Sequence, residues 1–361
     1  MKKILFETHH IYYWPNFLPV IEVLKERNEY LIEASMPVRS SKNEFTALKK
    51  ICNGLNIKFI ESDSEIKRIK RIKSERYDVI IVGNVGQLNK LVNNNTIAVM
   101  VYHGIGLKKS YYKDIDKRIN LRSVESVARF EELQELGHNN IVLTGFTKLD
   151  RLMTISKAEI KVVREKLDLD TNRKTVLFAP TFYPTSLELL YNEIKVLSQE
   201  CNVIIKLHAF SWEQSRYKYQ SQMYKKLSIE SKSIILLENN IYDIIPFYKI
   251  ADLLISDISS TLFEFLPMDK PIIQSNCFKL RFKHKIFNKR FMRKLDLSRL
   301  INIDFSYKIN EPSDLLSRVF YALENPKDMS DKRKIALKHY LYNFDGKASS
   351  RLIDSIEDYK N

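Results

Sequence analysis

Two series of short, uniformly apolar runs, each alternating with longer stretches of helical spacing, most constrain how this chain can fold. In the first half the runs are KILFE (3–7), YLIEA (30–34), IKFI (57–60), DVIIVG (78–83), IAVMVY (97–102) and IVLTG (141–145). In the second they are TVLFAP (175–180), NVIIKL (202–207), SIILLE (233–238), ADLLIS (251–256) and KPIIQS (270–275). Strands without a polar face need cover on both sides, which points to parallel sheets flanked by helices. Helical spacing fills the intervals: FLPVIEVLKER (17–27) and EIKRIKRIK (65–73), then LELLYNEIKVLSQE (187–200) and IYDIIPFYKI (241–250). A polar helical stretch at about 154–170 separates the two series. The expected architecture is α/β: two doubly wound, Rossmann-like domains facing across a cleft. The expected boundaries are 1–153 for the first domain and 154–330 for the second. Residues 331–361 are expected to form helices that pack across the domain interface and return to the first domain. A chain of 361 residues exceeds the size at which a single core usually stops growing, which agrees with this division.

Open parallel sheets bind ligands beyond the carboxyl ends of their strands, so the residues after each run carry the search for chemistry. IAVMVY runs into His103-Gly104-Ile105-Gly106-Leu107-Lys108. A histidine suits a general base near neutral pH, glycines let backbone approach a ligand, and a lysine can meet phosphate. A tight turn with a capping histidine would use the same residues. Lys206 and His208 lie two positions apart and share a strand face, which suits a diphosphate or a structural histidine equally. ADLLIS continues into Asp257-Ile258-Ser259-Ser260-Thr261 at the start of TLFEFL. Hydroxyls there can cap a helix, and the same backbone N–H groups can hold phosphate. Thr181 follows TVLFAP, and Asp345-Gly346-Lys347-Ala348-Ser349 opens the last helix as a turn with an N-cap.

Several classes are disfavoured. No Walker loop is present, no GxGxxG follows the first strand, and HExxH and GxSxG are missing. Cys52, Cys201 and Cys277 are too scattered for a CxxC zinc site or a disulfide framework. No stretch approaches the ~20 apolar residues that span a bilayer. MKKILFETHH reads as a first strand and not a signal peptide, which predicts a cytoplasmic protein.

Taken in order, HGIGLK (103–108), TGFTKLD (144–150), LFAPTF (177–182), KLH (206–208), ADLLISDISSTLFEF (251–265) and DGKASSR (345–351) resemble the CDP-glycerol glycerophosphotransferases of teichoic-acid and capsule synthesis. HHIYYWPNFLPV (9–20) is similar to that family's start. The resemblance covers nearly the whole chain and implies a GT-B-like fold. It implies transfer of glycerol phosphate, or a related polyol phosphate, from CDP-glycerol or CDP-ribitol to a hydroxyl of a polyol-phosphate or lipid-linked glycan acceptor, with release of CMP. By position it gives His103 the role of catalytic base. It matches His208, Ser259 and Ser260 to the donor pyrophosphate segments, with His208 a catalytic candidate as well, and Asp345 and Ser349 to the terminal motif. The strand-end reading adds Lys206, Thr181, Asp257 and Thr261 to the donor candidates, and Gly104, Lys108 and Lys148 to those for phosphate or acceptor. No cofactor is required. Mg²⁺ is compatible with a diphosphate donor, but nothing in the sequence indicates it. The chain departs from the family at Ala209, where proline is usual, and at Lys148, the nearest cation where an arginine is usual. It departs again at FKLRFKHKIFNKRFMRK (278–294), in place of an acidic, Arg-Gly-containing stretch. Without a long N-terminal extension, it resembles the compact members.

Charge bears on partners. Lysine plus arginine is 59 against 44 aspartate plus glutamate, a net +15, which favours anionic partners. Residues 279–294 hold eight cations and no acid, interleaved with Phe282, Phe287 and Phe291. Lys283, Lys285, Lys289 and Arg290 thereby become candidates for an anionic membrane surface or a phosphate-rich acceptor. The expected location is peripheral, on the inner face of the cell membrane. KRIKRIKSER (67–76) is expected to turn Ile66, Ile69 and Ile72 toward a core, with its cations opposite. A nucleotide-sugar transferase of the same fold is the alternative enzyme. A non-enzymatic nucleic-acid binder is the alternative from charge alone, and it leaves the strand-end histidines unexplained.

Overall fold

A computed structural model describes residues 1–107, 117–281, 299–300 and 302–359. The described residues fall into two compact units: 1–104, 117–154 and 339–359 in the first, and 105–107 with the described part of 155–338 in the second. The helix Ser330–Tyr340 carries the chain from the second unit back to the first.

The first unit is built on a seven-stranded sheet. Its strands are β1 (Lys2–Glu7), β2 (Tyr30–Ser35), β3 (Lys58–Phe59), β4 (Val79–Val82), β5 (Ile97–Val101), β6 (Leu121–Val124) and β7 (Ile141–Leu143). The order is β3-β2-β1-β4-β5-β6-β7, and every pair is parallel. Ile4, Leu5 and Phe6 of β1 and Ile81 and Val82 of β4 are fully buried. Each such side chain contributes about 1.5–3 kcal/mol by leaving water. The order reverses between β1 and β4, which makes the gap between their carboxyl ends the sheet's switch point.

Helices α1 (Trp14–Arg27), α2 (Lys42–Gly54) and α3 (Glu65–Glu75) cover this sheet's first half. Ser41 accepts from the backbone N–H of Glu44 and begins α2, and Ser64 accepts from that of Lys67 and begins α3. Helix α3 buries Ile72 and half-buries Ile69 as expected, with one departure. Ile66 is exposed, whereas Arg68 is buried beside Ile72. The Arg68 guanidinium meets both oxygens of Glu7 at 2.9 and 2.8 Å and the Ser35 hydroxyl at 2.6 Å. An ion pair held by that many hydrogen bonds overrides the apolar periodicity, because Glu7 cannot remain buried and charged without it.

The second unit holds six strands: β8 (Thr175–Phe178), β9 (Asn202–Ile205), β10 (Ile234–Leu236), β11 (Leu253–Ser256), β12 (Ile272–Ser275) and β13 (Tyr307–Ile309). All are parallel, in the order β10-β9-β8-β11-β12-β13, with the switch point between β8 and β11. Val176, Phe178, Val203, Ile205, Leu253 and Ile255 lie at the centre of its core. The α/β class and the two doubly wound parallel sheets agree with the sequence reading. β6 and β13 are additional. LRSV carries a buried arginine and YKI an exposed lysine, so neither displays a clean apolar run.

Candidate functional site

In the first unit the strand ends converge on His103, which follows β5. Gly83, just after β4, offers its carbonyl to His103 Nδ1 at 3.2 Å. A carbonyl can only accept, so Nδ1 carries the proton and Nε2 holds the ring's acceptor lone pair. The ring stacks on Tyr13 with centroids 4.0 Å apart and meets Tyr12 edge-on at 5.4 Å. Gly83 makes that stacking possible, since a Cβ there would lie 2.5 Å from the Tyr13 ring. Burial drives the His103 ring down to about 3; the Gly83 hydrogen bond opposes this, while His10 and Lys148 add repulsion. Lys148 is therefore within electrostatic reach of the histidine. Gly104 is buried immediately after it. Lys108 lies outside the described residues.

Sequence reasoning missed the switch point of this sheet. His9 follows β1, and Gly86 follows β4 in a left-handed conformation at φ +48°. A Cβ on Gly86 would stand 2.1 Å from the His9 ring. His9 is buried, and neither ring nitrogen has a hydrogen-bond partner among the described residues. Burial depresses it to about 4. The strand order would have pointed to these residues, but it cannot be read from one sequence.

In the second unit His208 follows β9 and takes the opposite tautomer. Its Nδ1 accepts from the Phe210 backbone N–H at 3.1 Å, so the proton sits on Nε2, which presents a donor. Its ring packs against Phe182 at 4.7 Å. Lys206 is half-buried, and its Nζ donates to the Leu207 carbonyl at 3.2 Å.

Asp257 ends β11 fully buried. Its carboxylate accepts from Thr181 N (2.7 Å), Ser186 N (2.9 Å), Ser186 Oγ (3.0 Å) and Thr185 Oγ1 (3.2 Å). Burial pushes it up to about 6 against those hydrogen bonds. Asp257 therefore shapes the 181–186 loop, and Thr181 joins the site through its backbone. Thr261 Oγ1 bonds Ser256 Oγ at 2.7 Å and the Ala179 carbonyl at 3.2 Å, tying the turn to the sheet. Ser259 Oγ accepts from Thr261, and Ser260 Oγ donates to Glu264 at 2.7 Å. The helix they begin is only Thr261–Glu264, too short for a large dipole.

Asp345 and Ser349, expected at the donor, lie in the first unit. Asp345 pairs with Arg351 through both oxygens, at 3.0 and 2.9 Å. Asp150 accepts from the N–H groups of Ala348 (3.0 Å) and Ser349 (2.7 Å), which begin the C-terminal helix Ala348–Asp358. TGFTKLD and DGKASSR thus form one joint. A Cβ on Gly145 (φ +95°) would lie 2.9 Å from the Tyr342 carbonyl. Lys283, Lys285, Lys289 and Arg290 lie outside the described residues. Cys52, Cys201 and Cys277 are buried free thiols. Among the described residues, no helix is long and apolar enough to cross a membrane.

A family profile described as CDP-Glycerol:Poly(glycerophosphate) glycerophosphotransferase matches residues 122–358. The teichoic acid poly(ribitol-phosphate) polymerase of Bacillus spizizenii (strain ATCC 23059 / NRRL B-14472 / W23) is 25% identical over 236 residues, 60% of this chain and 33% of that protein. The chain therefore spans about a third of that relative's length. Among solved structures, the wall teichoic acid polymerase TagF superposes with a TM-score of 0.71 at 17% identity, over 99% of this chain and 89% of that one. A putative UDP-N-acetylglucosamine 2-epimerase from Listeria monocytogenes superposes with a TM-score of 0.62 at 14% identity, over 100% and 97%. At these identities the superpositions speak to fold alone.

Proposed function

Because the chain belongs to the CDP-glycerol:poly(glycerophosphate) glycerophosphotransferase family, we propose that it moves glycerol phosphate or a related polyol phosphate from a CDP-activated donor to a hydroxyl of a cell-wall or lipid-linked polymer. His103 Nε2 takes the proton of the acceptor hydroxyl. The oxygen forms a bond to the phosphorus bearing the polyol, and the bond from that phosphorus to the CMP oxygen breaks, its electron pair leaving with CMP. His208 donates Nε2–H to a donor phosphate oxygen, and Lys206 adds positive charge. Phosphoryl transfer relies on positioning and charge neutralisation, so the scheme needs no fixed metal.

The observation that carries this reading is the pair of opposed histidine tautomers. One ring is locked by a carbonyl as an acceptor at Nε2, and the other by an N–H group as a donor there. The test is mass spectrometry of products from a lipid-linked acceptor supplied in turn with CDP-glycerol, CDP-ribitol and UDP-sugars. The expected product gains polyol-phosphate units and appears with CMP. His103→Ala should lower kcat by about 10²–10⁴ and leave donor affinity close to wild type. Transfer from a UDP-sugar and from neither CDP-polyol would replace this reading with glycosyl transfer.

A further inference from the structure

Arg281 lies near the start of the basic stretch 279–294 and in none of the motifs that carry the family resemblance. It follows β12, and its backbone N–H donates to the Tyr183 hydroxyl at 3.2 Å, on the loop after β8. β11 lies between β12 and β8, so the arginine reaches back past the carboxyl end of β11, on the side of the switch point. Its guanidinium carbon lies 4.1 Å from the Tyr183 ring centroid and 4.9 Å from that of Tyr217. The two ring centroids are 6.3 Å apart, and the guanidinium occupies the angle between them. The Asp257 carboxylate fixes the loop on both sides of Tyr183, through Thr181 and Ser186. Tyr217 packs on Phe182 at 5.1 Å, and Phe182 packs on His208. The arginine is thus held by the same loop that borders the donor histidine.

Among the described residues it has no anionic partner. Nη2 is buried without a hydrogen-bond partner among the described residues. Burial lowers its basicity, the Tyr183 hydroxyl opposes this, and Arg216 repels it; no carboxylate among the described residues acts on it. Two aromatic faces steady a cation but do not satisfy its N–H groups. A partly buried cation without a counter-ion is costly unless an anion arrives. A guanidinium fork matches phosphate oxygens in plane, which a lysine cannot do.

We propose that Arg281, seated over Tyr183 and Tyr217, contacts the donor's diphosphate on the second unit. This rests on the donor reading above, but the two can fail separately. The experiment is calorimetric titration of wild type, Arg281→Gln, Arg281→Lys and Tyr217→Leu with CDP-glycerol, CDP, inorganic pyrophosphate and cytidine, together with melting of each protein without ligand. Arg281→Gln should weaken CDP and pyrophosphate at least tenfold and leave cytidine unchanged. Arg281→Lys should recover part of that loss, and Tyr217→Leu should weaken the same two ligands by loosening the guanidinium. Without ligand, Arg281→Gln should melt no lower than wild type, because it removes an uncompensated charge. Unchanged CDP and pyrophosphate affinities in Arg281→Gln, or a lowered melting temperature without loss of affinity, would assign the arginine to packing and overturn the proposal. If wild type binds pyrophosphate through Arg281 yet binds neither CDP nor CDP-glycerol, the anion contact stands and the CDP-donor reading falls.

Discussion

Two histidines of the first unit have been pushed far from their ordinary behaviour by burial, and this has a consequence for stability. His103 is driven to about 3 and His9 to about 4, against about 6.5 in an unfolded chain. Both are therefore neutral in the folded protein across the working pH range. A depressed folded value means that protons bind the unfolded chain first. The stabilisation from each neutral ring is complete above pH 6.5 and is lost as pH falls from there toward 4 and 3. Urea denaturation at stepped pH should show stability declining through that window. His9→Asn and His103→Asn should each flatten the decline, and a decline of equal slope in both variants would mean that other groups dominate. At this scale the sequence was informative where a residue type and a strand end coincide, as at His103 and His208. It was silent on tautomers, because these depend on the Gly83 carbonyl and the Phe210 N–H, neither of which has a side-chain signature. His9 stood in the quoted opening segment, yet only the β1–β4 adjacency marks it as a switch-point residue.

Among the elements, the start of the C-terminal helix is where two of the family-resembling motifs meet. DGKASSR supplies its start, and Asp150 from TGFTKLD receives its first two N–H groups, 198 and 199 residues apart in sequence. Arg351 donates from Nε to the Thr144 carbonyl at 2.6 Å and pairs with Asp345, closing the joint. Arg27 of α1 then pairs with Glu357 at the far end at 2.6 Å. Asp150→Ala leaves buried backbone donors unsatisfied and should cost about 1–3 kcal/mol. Denaturant unfolding should read that loss, and amide exchange over 348–358 should accelerate while kcat below the melting range stays near wild type. Loss of turnover with unchanged stability would give Asp150 a role in the chemistry instead. Motif spacing identifies residues that belong together and cannot say whether they meet a ligand or each other. The same limit explains α3, where periodicity favoured Ile66 inward and Arg68 is buried against Glu7 instead.

For the whole molecule, the surplus of 15 positive charges asks for an anionic partner that the strand-end residues alone do not account for. The doubly wound sheets were legible because their strands are apolar on both faces. The basic stretch 279–294 was equally legible as composition, since its eight cations stand without an acid among three phenylalanines. Cations with interleaved aromatics suit an anionic bilayer, where the rings enter the interface and the charges meet headgroups. Each such cation contributes about 1 kcal/mol near the surface, so replacing four should weaken vesicle binding by about a thousandfold. We therefore expect the glutamine variant of Lys283, Lys285, Lys289 and Arg290 to leave vesicles containing phosphatidylglycerol in sedimentation assays. Wild type should remain bound at low salt and dissociate as screening increases. Turnover with a short soluble acceptor should survive in the variant, because His103 and His208 are untouched. If the variant still binds vesicles and loses soluble-acceptor turnover instead, the stretch holds the phosphate-rich acceptor and not the membrane. Because the stretch includes Arg281, that outcome is a physical alternative: a polyanionic chain and a bilayer present the same charge to the same residues.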